Sequence, residues 1–306
     1  MYQPNPETEE FTIELSDGRD LGYAIYGNPN GHPIFYFHGF PGSRIEGKMF
    51  DQRLKDSPFA LYAFDRPGMG NSSPHNNRSL LTWADDIIQF ADNLKIDKFT
   101  VLGISGGGPY ALACAKKIPS NRLVATLVIS GMGPINGNMK FFQPLLRFGL
   151  SLAKKSSGLF RLIYRLILYT MMKTEKRVTR TVQKMILDMS PDEQAQLRLG
   201  NGVEIFVADN YYAYVQGPLG TAQDIENYAR DWGFTLEDIP KDIPVMVIHG
   251  EKDEIVPVEI GKHVAERISH CYSQFYPNGT HFATSVESLP HILSKLLSIL
   301  ESKTKE

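Results

Sequence analysis

A chain of 306 residues suits one large domain or two moderate ones, and 42% apolar with 22% charged residues can bury a sizeable core. A formal charge of -2 gives no overall pull toward nucleic acid, so none is expected as a partner. The two cysteines, Cys114 and Cys271, are too few and too far apart for a disulfide framework, which points to a reducing compartment, the cytoplasm.

Met1 to Glu10 is polar and acidic, without the basic and apolar regions of a signal peptide. Phe11–Leu15 and Leu21–Tyr26 alternate with period two around Asp17-Gly18, which predicts an antiparallel hairpin. Pro33–His38 and Phe59–Phe64 are continuous apolar runs, the pattern of strands buried on both faces. Ser79 is a plausible N-cap for a helix to Leu94, whose Leu80, Trp83, Ile87, Phe90 and Leu94 form one stripe. A strand at Phe99–Leu102, a helix at Pro109–Lys117 and a strand at Leu123–Ile129 follow.

Further strands are expected at Ile243–His249 and Tyr272–Tyr276, and helices at Val258–Ser269 and Leu289–Leu300. Eight strands alternating with helices predict an α/β fold: a mostly parallel eight-stranded sheet with helices on both faces. Between the strands at Leu123 and Ile243, the stretch from Pro134 to Trp232 has helical periodicity and few strand-like runs. The expected organisation is a core of residues 1–133 and 236–306, with residues 134–235 inserted as a helical cap.

Chemistry is expected at the carboxyl ends of the strands. Gly103-Ile104-Ser105-Gly106-Gly107 joins a strand to a helix and would push the Ser105 hydroxyl out on a strained turn beside a helix N-terminus. A dinucleotide fingerprint also joins strand to helix, but Ser105 stands where that motif needs glycine. His38-Gly39-Phe40-Pro41-Gly42-Ser43 can aim the Phe40 N–H at the space above Ser105, and with the Gly106 N–H this makes two oxyanion donors. After the strand at Ile243 stand Glu251, Asp253 and Glu254; Asp253, just before apolar Ile255-Val256, is the candidate acid, and the two glutamates are expected to face solvent. Of eight histidines, His281 in a loop after the last strand has the best case as base, while His38 and His249 suit structural roles. No histidine pair has metal-ligand spacing, so neither metal nor cofactor is expected.

These motifs, together with Asp65-Arg66-Pro67-Gly68-Met69-Gly70-Asn71-Ser72, resemble those of the α/β-hydrolases and recur in the same order along the chain outside the insertion. The resemblance implies Ser105 as nucleophile, Asp253 as acid, His281 as base, Phe40 and Gly106 as oxyanion donors, and the Asp65–Ser72 segment as a structural loop. It implies a serine hydrolase of a small or medium acyl ester. Amide, thioester and carbon–carbon bond hydrolysis, or a hydrolase-like receptor for a small ligand, are the alternatives. Gly106 lacks the Trp or Tyr that follows the serine in proline iminopeptidases, which disfavours that subfamily.

Within the insertion, Lys140 to Arg180 holds ten Lys or Arg and one acid, Glu175. Arg161 and Arg165 lie opposite Leu159, Leu162, Ile163 and Leu166 on a helix. The favoured expectation is a solvated basic face over a buried apolar one; the alternative is a weak contact with anionic membrane surfaces. The longest apolar stretch, Leu159 to Met172, is too short and too charged to span a bilayer.

Overall fold

Successive side chains of the central strands pass to opposite faces of one sheet, and each face meets its own core. A computed structural model describes residues 3–5, 7–135 and 138–303, with Leu168 described by its backbone alone. Parts of the expected leaderless N-terminus, and residues 136 and 137 of the insertion, therefore lie outside the described residues. The strands are β1 (Phe11–Glu14), β2 (Asp20–Gly27), β3 (His32–Phe37), β4 (Phe59–Phe64), β5 (Phe99–Ile104), β6 (Leu123–Ile129), β7 (Val245–Gly250) and β8 (Cys271–Tyr276). They form one sheet in the order β1-β2-β4-β3-β5-β6-β7-β8. The β1–β2 and β2–β4 pairs are antiparallel and the remaining pairs parallel.

In β3, Phe35 and Phe37 join one core while Ile34 and Tyr36 join the other, the period of two expected for a strand covered on both sides. After β3 a 3₁₀ helix (Arg44–Phe50) and a short helix α1 (Asp51–Leu54) run to β4. Helices α2 (Leu80–Asn93) and α3 (Gly108–Lys117) follow β4 and β5. Ser79 caps α2, its hydroxyl accepting from the Thr82 N–H while the Thr82 hydroxyl accepts from the Ser79 N–H. Trp83 and Phe90 of α2 meet Phe35, Phe37 and Phe64 in a set of edge-to-face ring contacts, and Ile87 is buried in the same core. β7 begins at Val245, not at Ile243. Three helices complete the chain after β7: α11 (Val258–Arg267), α12 (His281–Glu287) and α13 (Leu289–Lys303).

Between β6 and β7 the described residues form α4 (Pro144–Lys155), α5 (Ser157–Tyr164), a π-turn (Arg165–Tyr169), α6 (Thr170–Met172), α7 (Glu175–Leu187), α8 (Pro191–Leu197), α9 (Gly202–Tyr214) and α10 (Leu219–Ala229). On α5 the buried residues are Phe160 and Tyr164, and Arg161 bonds the buried Glu226 through two nitrogens. Leu159, Leu162 and Leu166 face solvent instead. This corrects the expected buried leucine stripe. The two aromatic rings and the Arg161–Glu226 pair take the inward face, so the leucines turn outward.

One polar cluster ties the insertion to the sheet. Asp224 of α10 accepts hydrogen bonds from Arg66, Arg78 and the Tyr110 hydroxyl, and all four residues are buried. Arg66 also donates to the carbonyls of His38 (2.6 Å) and Gly39 (2.8 Å). A buried charge left without its partner is costly, and Asp224 serves two guanidiniums. Asp224→Ala should therefore lower unfolding stability in urea by about 3–5 kcal/mol. A loss below about 1 kcal/mol would show that the arginines find other partners.

Candidate active site

Ser105 opens a short 3₁₀ turn at the end of β5, and its φ is 52°, in the left-handed region that L residues seldom adopt. The turn closes because its neighbours lack side chains. A Cβ on Gly103 would strike the Gly107 carbonyl, and one on Gly107 would strike the Phe37 carbonyl of β3. A Cβ on Gly106 would lie 2.6 Å from the Tyr228 hydroxyl, 2.7 Å from the Phe40 Cβ and 3.2 Å from the Phe40 nitrogen. The backbones of Phe40 and Gly106 are thus neighbours. The Tyr228 hydroxyl, from α10, donates to the Gly106 carbonyl at 3.0 Å. The sequence shows only that position 106 lacks a large aromatic; the structure shows an aromatic reaching the same place from the insertion.

His281 and Asp253 meet across the ends of β7 and β8. His281 Nδ1 lies 2.7 Å from Asp253 Oδ2. Asp253 Oδ1 accepts the N–H groups of Ile255 (2.9 Å) and Val256 (2.8 Å), which fixes the carboxylate. Glu251 and Glu254 are exposed. His281 begins α12 and is not in an open loop; the seven-residue helix was too short to read from periodicity. His249 ends a buried strand and contacts the Val256 carbonyl at 2.8 Å, and His38 contacts the Gly39 carbonyl at 2.8 Å. Burial pushes the His38 imidazole well below its ordinary range, which keeps it neutral.

Burial pulls the His281 imidazole down, but the Asp253 charge and hydrogen bond outweigh it and the net shift is upward. Burial likewise pushes Asp253 up, and the His281 charge with the imidazole hydrogen bonds overcomes it, holding the carboxyl below the usual carboxylate range. Ser105, His281 and Phe40 line one cavity of about 630 Å³. Met185, Leu197, Leu199, Ile205 and Phe206 of the insertion form much of its apolar wall. Tyr211, Tyr212 and Tyr214 do not line it; Tyr214 is buried with its hydroxyl 2.9 Å from that of Tyr164.

Two side chains near the site carry no motif in the sequence. Glu46 lies in the 3₁₀ helix after the Phe40 loop, and its Oε2 accepts the Gly39 N–H and the Tyr36 hydroxyl, each at 2.7 Å. Tyr228 is the other. The unusual glycine at 106 signals a filled space nearby, but sequence does not say by what.

A doubly covered, mostly parallel sheet with a serine elbow, and with a histidine that lines the same cavity and is bonded to an aspartate behind it, defines the class of α/β hydrolases. The model of the Alpha/beta hydrolase family matches residues 34–290. The chain belongs to that family. It is similar to a proline iminopeptidase of Arabidopsis thaliana, 32% identical over 136 residues. That match covers 43% of this chain and 35% of the relative, so it spans well under half of either. It is similar over a greater length to a bifunctional esterase/perhydrolase of Acinetobacter calcoaceticus, 23% identical across 90% of this chain and 94% of that one. Among solved structures, a thermophilic esterase from Thermogutta terrifontis superposes with a TM-score of 0.66 at 20% identity, covering 94% of this chain and 98% of the other. No helix among the described residues is long and apolar enough to cross a membrane.

Asp253→Asn should lower the His281 titration midpoint from above the ordinary 6.5, because burial, the largest influence, is then opposed only by the lesser charges of Glu193 and Glu46. Glu251→Gln should leave the midpoint in place. An NMR titration of the imidazole reads both, and an unmoved midpoint in Asp253→Asn would remove the carboxylate as the cause.

Proposed function

We propose that the protein is a serine hydrolase of small or medium acyl esters, working through an acyl-enzyme on Ser105. The observation that carries this is the 2.7 Å His281–Asp253 bond on a cavity that Ser105 shares. His281 takes the hydroxyl proton as Ser105 attacks the carbonyl carbon. Asp253 holds the imidazole in the tautomer that presents Nε2 and stabilises its charged form. The N–H groups of Phe40 and Gly106 receive the oxyanion, each donor worth about 3 kcal/mol. His281 then protonates the leaving alcohol, and in the second half it activates the water that frees the acid.

The esterase relative matched along most of the chain and the apolar cavity wall support an ester. The iminopeptidase relative supports a peptide bond as the second reading, over a smaller part of the chain. Residues 134–235 act in this reading as the cap that shapes the acyl cavity. The two free cysteines, with Cys114 buried, support a reducing, cytoplasmic setting. Labelling with a fluorophosphonate, then turnover of p-nitrophenyl esters of graded chain length, tests the reading. Ser105→Ala should abolish labelling and lower kcat by roughly 10⁴-fold or more while leaving the fold intact. Ester turnover near the wild-type rate in that variant would overturn the mechanism. Labelling without turnover of any acyl compound would favour a receptor.

Contact of the cap with an anionic lipid surface belongs to the same reading. Leu145 is 83% exposed and Leu166 62%, and Phe148, Leu159, Leu162 and Ile167 are exposed beside them on α4, α5 and the π-turn. Exposed Arg147, Lys155 and Arg165 lie on the same elements. Apolar side chains and cations exposed on the same helices match an acyl boundary under acidic headgroups, with each cation near such a surface worth about 1 kcal/mol. The protein should sediment with phosphatidylserine-containing vesicles far more than with phosphatidylcholine vesicles, and Leu162→Glu should abolish the difference. Equal sedimentation with both would end the idea.

A further inference from the structure

The cavity lining includes two acceptor oxygens to which no described residue donates. Glu46 lines the cavity, with Oε2 occupied by Tyr36 and Gly39 and with no described residue donating to Oε1. Asn210 of α9 lines the same cavity and is 1% exposed; its Nδ2 donates to the Phe206 carbonyl at 2.9 Å, and its Oδ1 has no partner among the described residues. Asp209, the residue before Asn210, is fully buried. Its Oδ1 accepts the Ser43 N–H (2.6 Å) and hydroxyl (2.9 Å), and its Oδ2 also has no partner among the described residues. Buried acceptors without donors are costly, and a cavity lined by them fits a ligand that brings the donor.

The place is close to the nucleophile. A methyl group set on Gly39 would lie 3.2 Å from Glu46 Oε1 and 3.5 Å from Ser105 Cβ, so one small group separates them. Burial raises the Glu46 carboxyl despite the Tyr36 and Gly39 bonds, and burial with the Glu46 charge raises Asp209 well above its ordinary range. An ionised Glu46 this near Ser105 opposes the negative charge that an attacked carbonyl gathers. A donor on the substrate, placed between the two, removes the conflict.

We propose that Glu46 and Asn210 form a subsite for a hydrogen-bond-donating substituent, hydroxyl or ammonium, carried on the substrate next to its scissile carbonyl. The proposal rests on Ser105 being the nucleophile. It makes Glu46 a specificity determinant, selecting hydroxy- or amino-substituted acyl groups over plain ones and over acyl groups bearing a carboxylate there.

The test compares p-nitrophenyl butyrate, 2-hydroxybutyrate and 2-aminobutyrate, which share one chain length and one leaving group and differ only at the carbon next to the carbonyl. On the wild-type enzyme at least one donor-bearing ester should exceed butyrate by about tenfold or more in kcat/KM. A hydroxyl-only preference or an ammonium-only preference supports the subsite equally and tells which donor it takes. Glu46→Gln keeps an oxygen for Tyr36 and Gly39 but turns a donor toward the cavity, so the ratio should fall to near one. The ratio is insensitive to damage that slows all esters alike, and the wild-type ratio stands even if the variant fails to fold. Butyrate as good as both substituted esters, or a ratio unchanged in Glu46→Gln, would overturn the proposal. If none of the esters turns over, the ester reading fails by itself, and loss of fluorophosphonate labelling with it would remove the nucleophile. Calorimetry of the matching N-ethyl amides with Ser105→Ala then decides the subsite: tighter binding of a donor-bearing amide supports it, and equal binding overturns it.

Discussion

The left-handed backbone at Ser105 is the constraint on which the site depends. A non-glycine residue at φ 52° is strained, and it persists only where its surroundings leave no other conformation. Here β5 delivers the chain to the sheet edge, α3 carries it away at once, and the Gly107 backbone presses against the Phe37 carbonyl of the neighbouring strand. Shortening the turn in this way brings the Phe40 loop, which follows β3, against Gly106. Two separate turns thereby present backbone to one point. The parallel pairing of β3 with β5 holds them in register, from Ile34 opposite Thr100 to Phe37 opposite Gly103.

Backbone N–H groups serve as oxyanion donors only if their loop holds still, and the Phe40 loop is held from both ends. Arg66 grips the carbonyls of His38 and Gly39 from below, and Glu46 takes the Gly39 N–H. Arg66 is in turn fixed by Asp224 on the insertion, whose Tyr228 reaches the Gly106 carbonyl one turn later on the same helix. Helix α10 is therefore anchored both to the floor of the site and to the elbow. The outer helices α4 and α5, with leucines in solvent, lack anchors of that kind on their outer face. This division lets one insertion carry a fixed wall and an exposed surface.

The strands and the elbow were legible because their constraints are local. A buried parallel strand needs an unbroken apolar run, and a tight turn needs its glycines. Ser79 as N-cap and the α2 stripe follow from the same kind of rule. What sequence could not supply depended on partners far along the chain. Glu46 reads as one more surface acid of a charged segment until Tyr36 and Gly39 are seen to donate to it. The α5 leucines read as core because nothing local reveals that Phe160, Tyr164 and the Arg161–Glu226 pair claim the inward face. Helix α12 escaped because seven residues hold too few turns for a period. Ile243-Pro244 looked like strand, but Pro244 has no N–H to give a ladder, and β7 starts one residue later.

The electrostatics of the cavity follow from two carboxylates set in unlike surroundings. Asp253 is wrapped by two backbone N–H groups and the imidazoles of His281 and His249, so its charge is stabilised and its acidity increased. Glu46 has two neutral donors on one oxygen and open cavity at the other, so burial prevails and its acidity falls. Both favour a positive His281, Asp253 by contact and Glu46 through space. In the proposed reaction their effects on the oxyanion differ in sign. The Asp253 charge is spent on the imidazole bonded to it, while the Glu46 charge also meets any oxyanion formed at Ser105. A site with Asp253 alone would accept any acyl group that fits the apolar wall. In the proposed reaction, Glu46 would make the barrier depend on what the acyl group carries beside its carbonyl, because only a donor there turns an opposing charge into a binding contact.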